Sequence, residues 1–407
     1  MFLIGQDIWS VNYDGQIVYL GYLIVLHGLI YFNLHGANFI TPTGLYLLYC
    51  SLLHGFASIS LGSDINRDLS FGHFLASLIL YFSQILIYFL ILENGTHFQV
   101  ENRPTPKKTT KIKRLLLFLL VLGFILSKLH SSLNFFFSAM IYVSTVVLSL
   151  DTFILNKKIT IINILLWSAL VLFYFKELFS GFGRINIVTL VIANVMLLAI
   201  KINKPIVKRG MTIMFVPSII MGSLLRGGTS DNLLGGIGSI VSPLLRFGDL
   251  LNLYIKGDLD LSFGKTIYAA FIVFIPRELW NNKPWNFNRE ITYIFTPQYV
   301  ENGHSEAAVL AAEFLFNFGF IGVIIGFLFF SLFLRFLDRK IFNIYLNKTE
   351  FTILDLINFS VIIIISAGLL NLMWGGFSTQ INRDGFRILA LYTGYFIYKA
   401  LFMKKTD

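Results

Sequence analysis

Residues 306–334 read EAAVLAAEFLFNFGFIGVIIGFLFFSLFL and are followed by Arg335. Glu306 and Glu313 are the only charged side chains in this apolar run, which exceeds the roughly 20 residues that a helix needs to cross a lipid core. The segment therefore predicts a transmembrane helix. Similar runs recur along the chain, so the sequence predicts an all-α polytopic membrane protein.

The composition also indicates a membrane protein. Of 407 residues, 56% are hydrophobic and 13% are charged, whereas soluble domains carry roughly 25% charged residues. The single cysteine, Cys50, excludes an intramolecular disulfide. A transmembrane β-barrel would show alternating segments of about 10 residues, and the long apolar runs favour helices instead.

About eleven transmembrane helices, with a range of ten to twelve, are predicted within one integral membrane domain spanning residues 1–407. The segments are 16–35, 41–62, 70–92, 114–130, 133–155, 159–177, 184–201, 210–226, 306–334, 351–371 and 386–402. A short outer loop is expected at 374–384. The hairpin at 114–155 and the N-terminal segment account for the range in the count.

Basic residues concentrate in alternate connections, at residues 103–114, 201–209 and 335–340. By the positive-inside rule these connections face the cytoplasm. The rule predicts a periplasmic N-terminus and a cytoplasmic C-terminus in a bacterial inner membrane. It also explains the net charge of +10, because the basic connections would face the anionic lipid of the inner leaflet. No nucleic-acid partner is expected.

The longest connection, residues 226–305, is predicted on the periplasmic side. Its apolar parts at 233–245 and 267–275 are too short to cross the membrane independently. They could re-enter the membrane or lie on its surface. Such a connection suits a site for a lipid-linked polar headgroup, and it also suits a cap that merely shields the helices.

Four arginines on the outer side are candidate phosphate ligands. Arg184 and Arg226 lie where loops meet helix ends, Arg277 lies between Pro276 and Glu278, and Arg383 follows Asn382. A guanidinium group presents paired donors that match phosphate oxygens. Snorkelling to the interface or ion pairing is the alternative for each of them.

His304 and Glu306 precede the predicted helix, and Glu313 and Asn317 follow within it. Their spacings of seven and four residues place Glu306, Glu313 and Asn317 on one helical face. His304 or Glu306 could accept a proton from a sugar hydroxyl. Alternatively, His304 caps the helix and Glu313 pairs with a buried arginine. The pair Asp258 and Asp260 could hold a divalent metal, although such pairs are common in loops.

Several segments in the same order resemble the O-antigen polymerases of the Wzy type, also called oligosaccharide repeat unit polymerases. These segments are 181–184, 226–228, 275–284, 303–305 and 313–322. The resemblance covers residues 180–325. The paired R-x10-G pattern described for some polymerases is not met, because the glycine position counted from Arg226 is occupied by Ile237, and the nearest glycine, Gly238, lies one residue later.

The resemblance implies a GT-C-like glycosyltransferase that acts at the periplasmic face. Such enzymes transfer a growing chain from undecaprenyl diphosphate to the next lipid-linked oligosaccharide repeat unit. The resemblance implies no cofactor and no metal. It implies undecaprenyl-diphosphate oligosaccharide, membrane lipid and a chain-length regulator protein as partners.

On this hypothesis, catalysis is assigned to His304 or Glu306, which deprotonates the acceptor hydroxyl. The residues assigned to binding of the diphosphate and sugars are Arg184, Arg226, Arg277, Lys283, Glu313 and Asn317.

Three other functions remain open. A repeat-unit flippase or other transporter would show a repeated helical arrangement, and none is visible in the sequence. An O-antigen ligase uses a similar donor with a different acceptor. A membrane acyltransferase would need a histidine deep in a helix, and His27, His35, His54 and His73 lie in or beside early predicted helices without a clear partner.

Overall fold

The computed structural model describes an α-helical chain. The described residues are 12–64, 68–92, 110–129, 134–155, 161–178, 184–214, 217, 233–275, 277, 279–301, 305–346 and 351–402. At Arg184 and at several helix ends the description covers the backbone alone. These ranges contain no β-strand, which confirms the all-α class.

The helices follow in chain order, and three of them continue into short π-helical turns. They are α1 Asp14–Leu34, α2 Pro42–Tyr49 with the π-turn Cys50–Gly55, α3 Phe56–Gly62, α4 Phe71–Leu92, α5 Thr110–Leu129, α6 Asn134–Leu150 with the π-turn Asp151–Leu155, α7 Ile161–Leu178, α8 Arg184–Ile202, α9 Ile206–Ile213, α10 Leu233–Lys256, α11 Lys265–Phe271, α12 Phe287–Phe295, α13 Leu310–Leu346, α14 Ile353–Gln380 with the π-turn Ile381–Gly385, and α15 Phe386–Phe402.

Seven helical segments in the described part of the chain are long and apolar enough to cross a membrane. The last of them, Ile353–Phe402, contains two predicted helices in its 50 residues. Two shorter apolar helices, Arg114–Ile125 and Leu165–Tyr174, match two further predictions. The predicted helix at 210–226 lies mostly outside the described residues.

Two predicted boundaries are wrong. The expected outer loop at 374–384 is helical, because the chain resumes its helix after a break at Gly375 and Gly376 and passes through the π-turn into α15. The helix expected from residue 306 begins at Leu310. Glu306 therefore does not share a helical face with Glu313 and Asn317.

Glycines allow α1 to pack closely against α2 and α3. A Cβ atom at Gly21, Gly28 or Gly55 would overlap the backbone of the facing helix. Membrane helices associate through such small residues because close backbone approach increases van der Waals contact where lipid offers no hydrophobic driving force.

One end of the bundle, called here the basic end, is fixed by buried charges. Asp338 of α13 accepts hydrogen bonds from His35 Nε2 at 3.0 Å and from the Thr43 backbone N–H at 3.1 Å. Nearby, the buried Lys208 ammonium donates to the carbonyl oxygens of His35 at 2.6 Å and Ala37 at 3.0 Å. Lys208 thereby satisfies carbonyl groups of the turn that follows α1, where no helical N–H group is available.

Replacing Lys208 with methionine is expected to lower the free energy of unfolding by about 3 kcal/mol, because buried carbonyl groups lose a charged donor. The expected readout is a lower thermal midpoint of the detergent-solubilised protein. Lys204→Met is the matched control, since Lys204 is exposed and its replacement should leave the midpoint unchanged. Equal midpoints for the two variants would contradict the capping role.

The helix α13 is broken at Gly319, where φ is +65°. The break frees the carbonyl oxygens of Phe316 and Asn317, which accept the N–H groups of Ser262 at 2.9 Å and Phe263 at 3.0 Å. Gly319 also faces the Tyr254 ring so closely that no Cβ atom fits there. The break therefore anchors the segment between α10 and α11 against α13.

The predicted long connection contains the helices α10, α11 and α12, and α10 packs along α4 and α3. The end of the bundle where α4 begins, opposite the basic end, is called here the site end. Gly72 at the start of α4 donates its N–H to Asn252 Oδ1 of α10 at 3.0 Å. Large apolar side chains are exposed around α11, with Phe263 79% and Leu279 80% exposed. Such exposure is typical of a surface that meets a membrane.

Candidate functional site

Two arginines surround one aspartate at the π-turn Ile381–Gly385. The buried Asp384 carboxylate accepts hydrogen bonds from Arg387 Nη1 at 2.6 Å and Asn371 Nδ2 at 3.0 Å. Arg383 Nη1 donates to Asn371 Oδ1 at 2.9 Å. One carboxylate faces two guanidinium groups, so this cluster carries a net positive charge.

Arg387 also connects the turn to two other helices. Its Nη2 donates to Asn186 Oδ1 of α8 at 2.8 Å, and its guanidinium lies 3.7 Å from the centre of the Tyr142 ring of α6. A guanidinium held over an aromatic face and by side-chain acceptors has a fixed orientation. The Arg387 guanidinium is therefore preorganised, and it contributes a positive charge in a fixed position.

A cavity of about 380 Å³ opens beside this cluster at the site end. It is called here the arginine pocket. Its lining residues are Ser138, Ala139, Tyr174, Asn186, Val273, Asn382, Arg383, Phe386 and Arg387. Amide and guanidinium donors converge on it from α8, the π-turn and α15. Such a donor set suits an anion with several oxygens, such as a phosphate or diphosphate.

Arg184 begins α8, two residues before Asn186 in the arginine pocket. Its side chain lies outside the described residues. Arg184 is one of the predicted diphosphate ligands. The structure therefore brings its backbone, at the start of α8, next to the arginine pocket that Arg383 and Arg387 line. Arg383 was recognised in the sequence as an outer arginine, whereas Arg387 was not.

Arg277 and Lys283 have structural partners in the loop that follows α11. The Arg277 guanidinium lies 3.3 Å from the centre of the Trp285 ring and donates to the Lys283 carbonyl oxygen at 2.9 Å. Lys283 Nζ donates to the carbonyl oxygens of Val273 at 3.1 Å and Ile275 at 2.7 Å. Burial and the adjacent Arg277 charge both lower the pKa of Lys283. Because Val273 lines the arginine pocket, these residues support its wall.

Glu306 is held in an ion pair with Arg246 of α10. Arg246 donates through Nε to Glu306 Oε2 and through Nη2 to Oε1 at 2.9 Å. Thr296 Oγ1 donates to the same Oε1 at 2.9 Å, and the Glu306 N–H donates to Thr292 Oγ1 at 2.9 Å. These bonds hold the non-helical segment that precedes α13. Both carboxylate oxygens of Glu306 are therefore engaged by partners within the chain.

Arg246 also pairs with Asp249 at 3.1 Å. Burial alone would lower the pKa of Arg246, but the hydrogen bonds and negative charges of Glu306 and Asp249 outweigh it and raise that pKa. Arg246 therefore stays charged and ties α10 to the segment that leads into α13.

Glu313 and Asn317 are fully buried where α13 meets the break in α14. Glu313 Oε2 accepts the N–H of Phe377 at 2.7 Å. Asn317 Nδ2 donates to Thr266 Oγ1 of α11 at 2.7 Å. No arginine pairs with Glu313 among the described residues. The two predicted binding residues thus lie inside the bundle, away from the arginine pocket lining.

An apolar groove of about 630 Å³ runs beside these residues, between α11, α13 and α14. Its lining residues are Ile267, Phe271, Phe314, Phe318, Ile321, Gly322, Ile325, Gly326, Phe329, Phe330, Phe333, Leu372 and Phe377. The segment from Ile267 to Val273 borders both cavities, with Phe271 at the groove and Val273 at the arginine pocket. A polar cavity and an apolar groove therefore share one wall.

Arg226 and His304, the remaining predicted site residues, lie outside the described residues. His304 precedes by two residues the anchored Glu306. In the described part of the chain, no three or more His, Cys, Asp or Glu side chains converge as metal ligands. That part includes Asp258 and Asp260.

Sequence reasoning missed Arg246, Asp384 and Arg387 as site residues. Arg387 lies in the apolar run 386–402, three residues after Asp384 and four after Arg383. A charge inside a membrane segment usually faces the bundle interior and has a partner. That signal was present in the sequence, but the partner Asn186 is 201 residues away.

Comparison of the chain with protein-family models, curated proteins and solved structures finds no match.

Proposed function

We propose that this protein is a membrane glycosyltransferase that polymerises undecaprenyl-diphosphate-linked oligosaccharide repeat units at the periplasmic face of a bacterial inner membrane. The observation that carries the proposal is the arginine pocket, which lies beside the start of α8 and shares a wall with the apolar groove. Together they offer an anion site next to an apolar site, as a lipid diphosphate requires.

The diphosphate of the donor is assigned to Arg383 and Arg387, with Arg184 at the start of α8. As the anomeric carbon–oxygen bond breaks, negative charge increases on the leaving diphosphate, and preorganised guanidinium donors stabilise that charge. The polyprenyl chain is assigned to the apolar groove, whose aromatic and aliphatic lining matches a hydrocarbon ligand. Arg277 and Lys283 hold the wall between the arginine pocket and the apolar groove. Arg226 remains a proposed ligand of the donor diphosphate.

His304 is assigned as the general base that deprotonates the acceptor hydroxyl. His304 takes its proton while the hydroxyl oxygen bonds to the anomeric carbon and polyprenyl diphosphate leaves. Glu306 was the alternative base. Because Arg246 and Thr296 occupy both of its carboxylate oxygens, we assign Glu306 to positioning the segment that carries His304. Glu313 and Asn317 are assigned to holding α11 and α14 around the groove.

Polymer length in a strain that lacks its own polymerase tests this assignment. Wild-type protein is expected to restore long chains, whereas Arg226→Ala and His304→Ala should each leave mostly single attached units. Arg339→Ala is the control, because Arg339 is exposed on α13 toward the basic end. Normal long chains from both site variants would show that Arg226 and His304 are wrongly assigned.

The same assay separates polymerase from ligase, whose donor chemistry is similar. Loss of a polymerase leaves single attached repeat units, whereas loss of a ligase leaves none. If the deletion strain carries no attached unit, the ligase function replaces the polymerase function.

A repeat-unit flippase is the second candidate, and one observation favours it. The helices α13 and α14 are both broken at glycines, at Gly319 and at Gly375 and Gly376, and Gly376 lies against the buried Glu313. Discontinuous helices of this kind form substrate and ion sites in many transporters. Movement of a fluorescent lipid diphosphate across a proteoliposome without chain growth would support the flippase.

A further inference from the structure

Among the described residues, Glu313 and two asparagines near it each carry a buried side-chain oxygen without a hydrogen-bond partner. Glu313 uses Oε2 to accept the Phe377 N–H, while its Oε1 is buried without a partner among the described residues. Gly376 lies against this carboxylate, and a Cβ atom at that position would overlap Oε2. The carboxylate therefore contacts the α14 backbone directly, and Thr266 is the side chain that lies beside it.

Two asparagines carry the other oxygens, one bonded to Glu313 and one beside Gly375. Asn317 Nδ2 donates to the Glu313 carbonyl oxygen at 2.8 Å and to Thr266 Oγ1 at 2.7 Å. The carbonyl acceptor fixes which amide atom is the nitrogen, and Asn317 Oδ1 is left buried and without a partner in the described chain. Asn288, which adjoins Gly375, likewise donates from Nδ2 to Thr379 Oγ1 at 2.8 Å and leaves Oδ1 without a partner there.

Buried acceptors are normally paired, and a buried carboxylate without a compensating charge is costly. No cation of the described residues compensates Glu313. Lys265 precedes Thr266, but its side chain is 59% exposed and its Nζ lies 3.6 Å from Glu290. Carboxylate and amide oxygens are hard ligands that suit hard cations. A single carboxylate is neutralised by one positive charge, whereas a divalent ion would leave a buried excess.

We propose that Glu313, Asn317 and Asn288 bind a sodium ion at the Gly375 and Gly376 break. Broken membrane helices supply backbone oxygens to such ions in transport proteins, and here the break brings α12, α13 and α14 together. The bound ion neutralises Glu313 and links the three helices. This proposal does not depend on the polymerase function.

The thermal midpoint of the purified protein in detergent tests it. At constant pH and ionic strength, sodium chloride at about 100 times the Kd is expected to raise the midpoint by about 3 °C relative to potassium chloride or choline chloride. Glu313→Gln should abolish this difference, because it removes the only carboxylate of the site. Glu290→Gln, on the neighbouring helix α12, should keep it.

Binding of radioactive sodium to the wild-type protein gives a second readout that needs no variant. One displaceable sodium ion per chain is expected, and Asn317→Ala should weaken its binding at least tenfold. Equal midpoints in sodium and potassium, with no bound sodium, would overturn the proposal. A midpoint that depends on pH and not on sodium would also overturn it, because a proton would then neutralise Glu313.

Discussion

The Arg387→Ala variant is expected to make no long polymer and to unfold at a lower temperature than the wild-type protein. Arg387 is buried, pairs with Asp384 and holds Asn186 of α8. Its loss removes a preorganised donor from the arginine pocket, which in other enzymes reduces the rate by about 100-fold to 1000-fold. It also leaves the buried Asp384 carboxylate without its direct ion-pair partner, at a cost of about 3 kcal/mol.

A double variant separates these two effects. Asp384→Asn with Arg387→Met removes the buried charge along with its partner, so it should recover most of the thermal midpoint. It should still fail to make long chains, because the donor for the diphosphate is missing. Polymer length and midpoint are measured on the same preparations. A double variant that makes normal long chains would contradict the assignment of Arg387 to the diphosphate.

The second large effect is expected from Gly376→Ala. Gly376 has a φ of +70°, and a Cβ atom there would overlap the Glu313 carboxylate. With ψ at −168° as well, this backbone conformation is essentially restricted to glycine and costs an L-residue about 1–3 kcal/mol, and overpacking a filled interior adds roughly 1–3 kcal/mol. We expect a strongly lowered thermal midpoint and a poor yield of folded protein after membrane extraction.

The matched control for this variant is Gly210→Ala. Gly210 lies in α9, where an added Cβ atom meets no other group within 4 Å, and alanine favours helix more than glycine does. Its midpoint should equal or exceed that of the wild-type protein. If Gly376→Ala were as stable as Gly210→Ala, the close packing of Glu313 against the α14 break would be contradicted.

The sequence predicted most helices because a lipid core requires long apolar segments, and such segments can be recognised from consecutive residues alone. It could not predict the breaks in α13 and α14. Gly319 is stabilised in its break by Ser262, Phe263 and Tyr254, which belong to a distant connection. The boundary at residue 306 was wrong for the same kind of reason, since the distant Arg246 holds Glu306 in a segment that is not helical.

The candidate site was predictable in part. Outer arginines at helix ends indicated an anion site, and the start of α8 does reach the arginine pocket. The contact of Arg387 with Asn186 joins residues far apart in the chain, so no spacing rule could reveal it. Arg277 and Lys283 have the residue types that bind phosphate, yet their donors serve the carbonyl groups of their own loop. Residue type alone does not show where a donor points.

Chain growth by the purified protein tests the central claim most directly. The protein is reconstituted in liposomes with a lipid-diphosphate-linked repeat unit as the only substrate, and product length and released polyprenyl diphosphate are measured. We expect products of several repeat units, with one polyprenyl diphosphate released for each new linkage, and no products from the Asp384→Asn, Arg387→Met double variant. Repeat units that stay single while the wild-type protein remains folded would contradict the polymerase function.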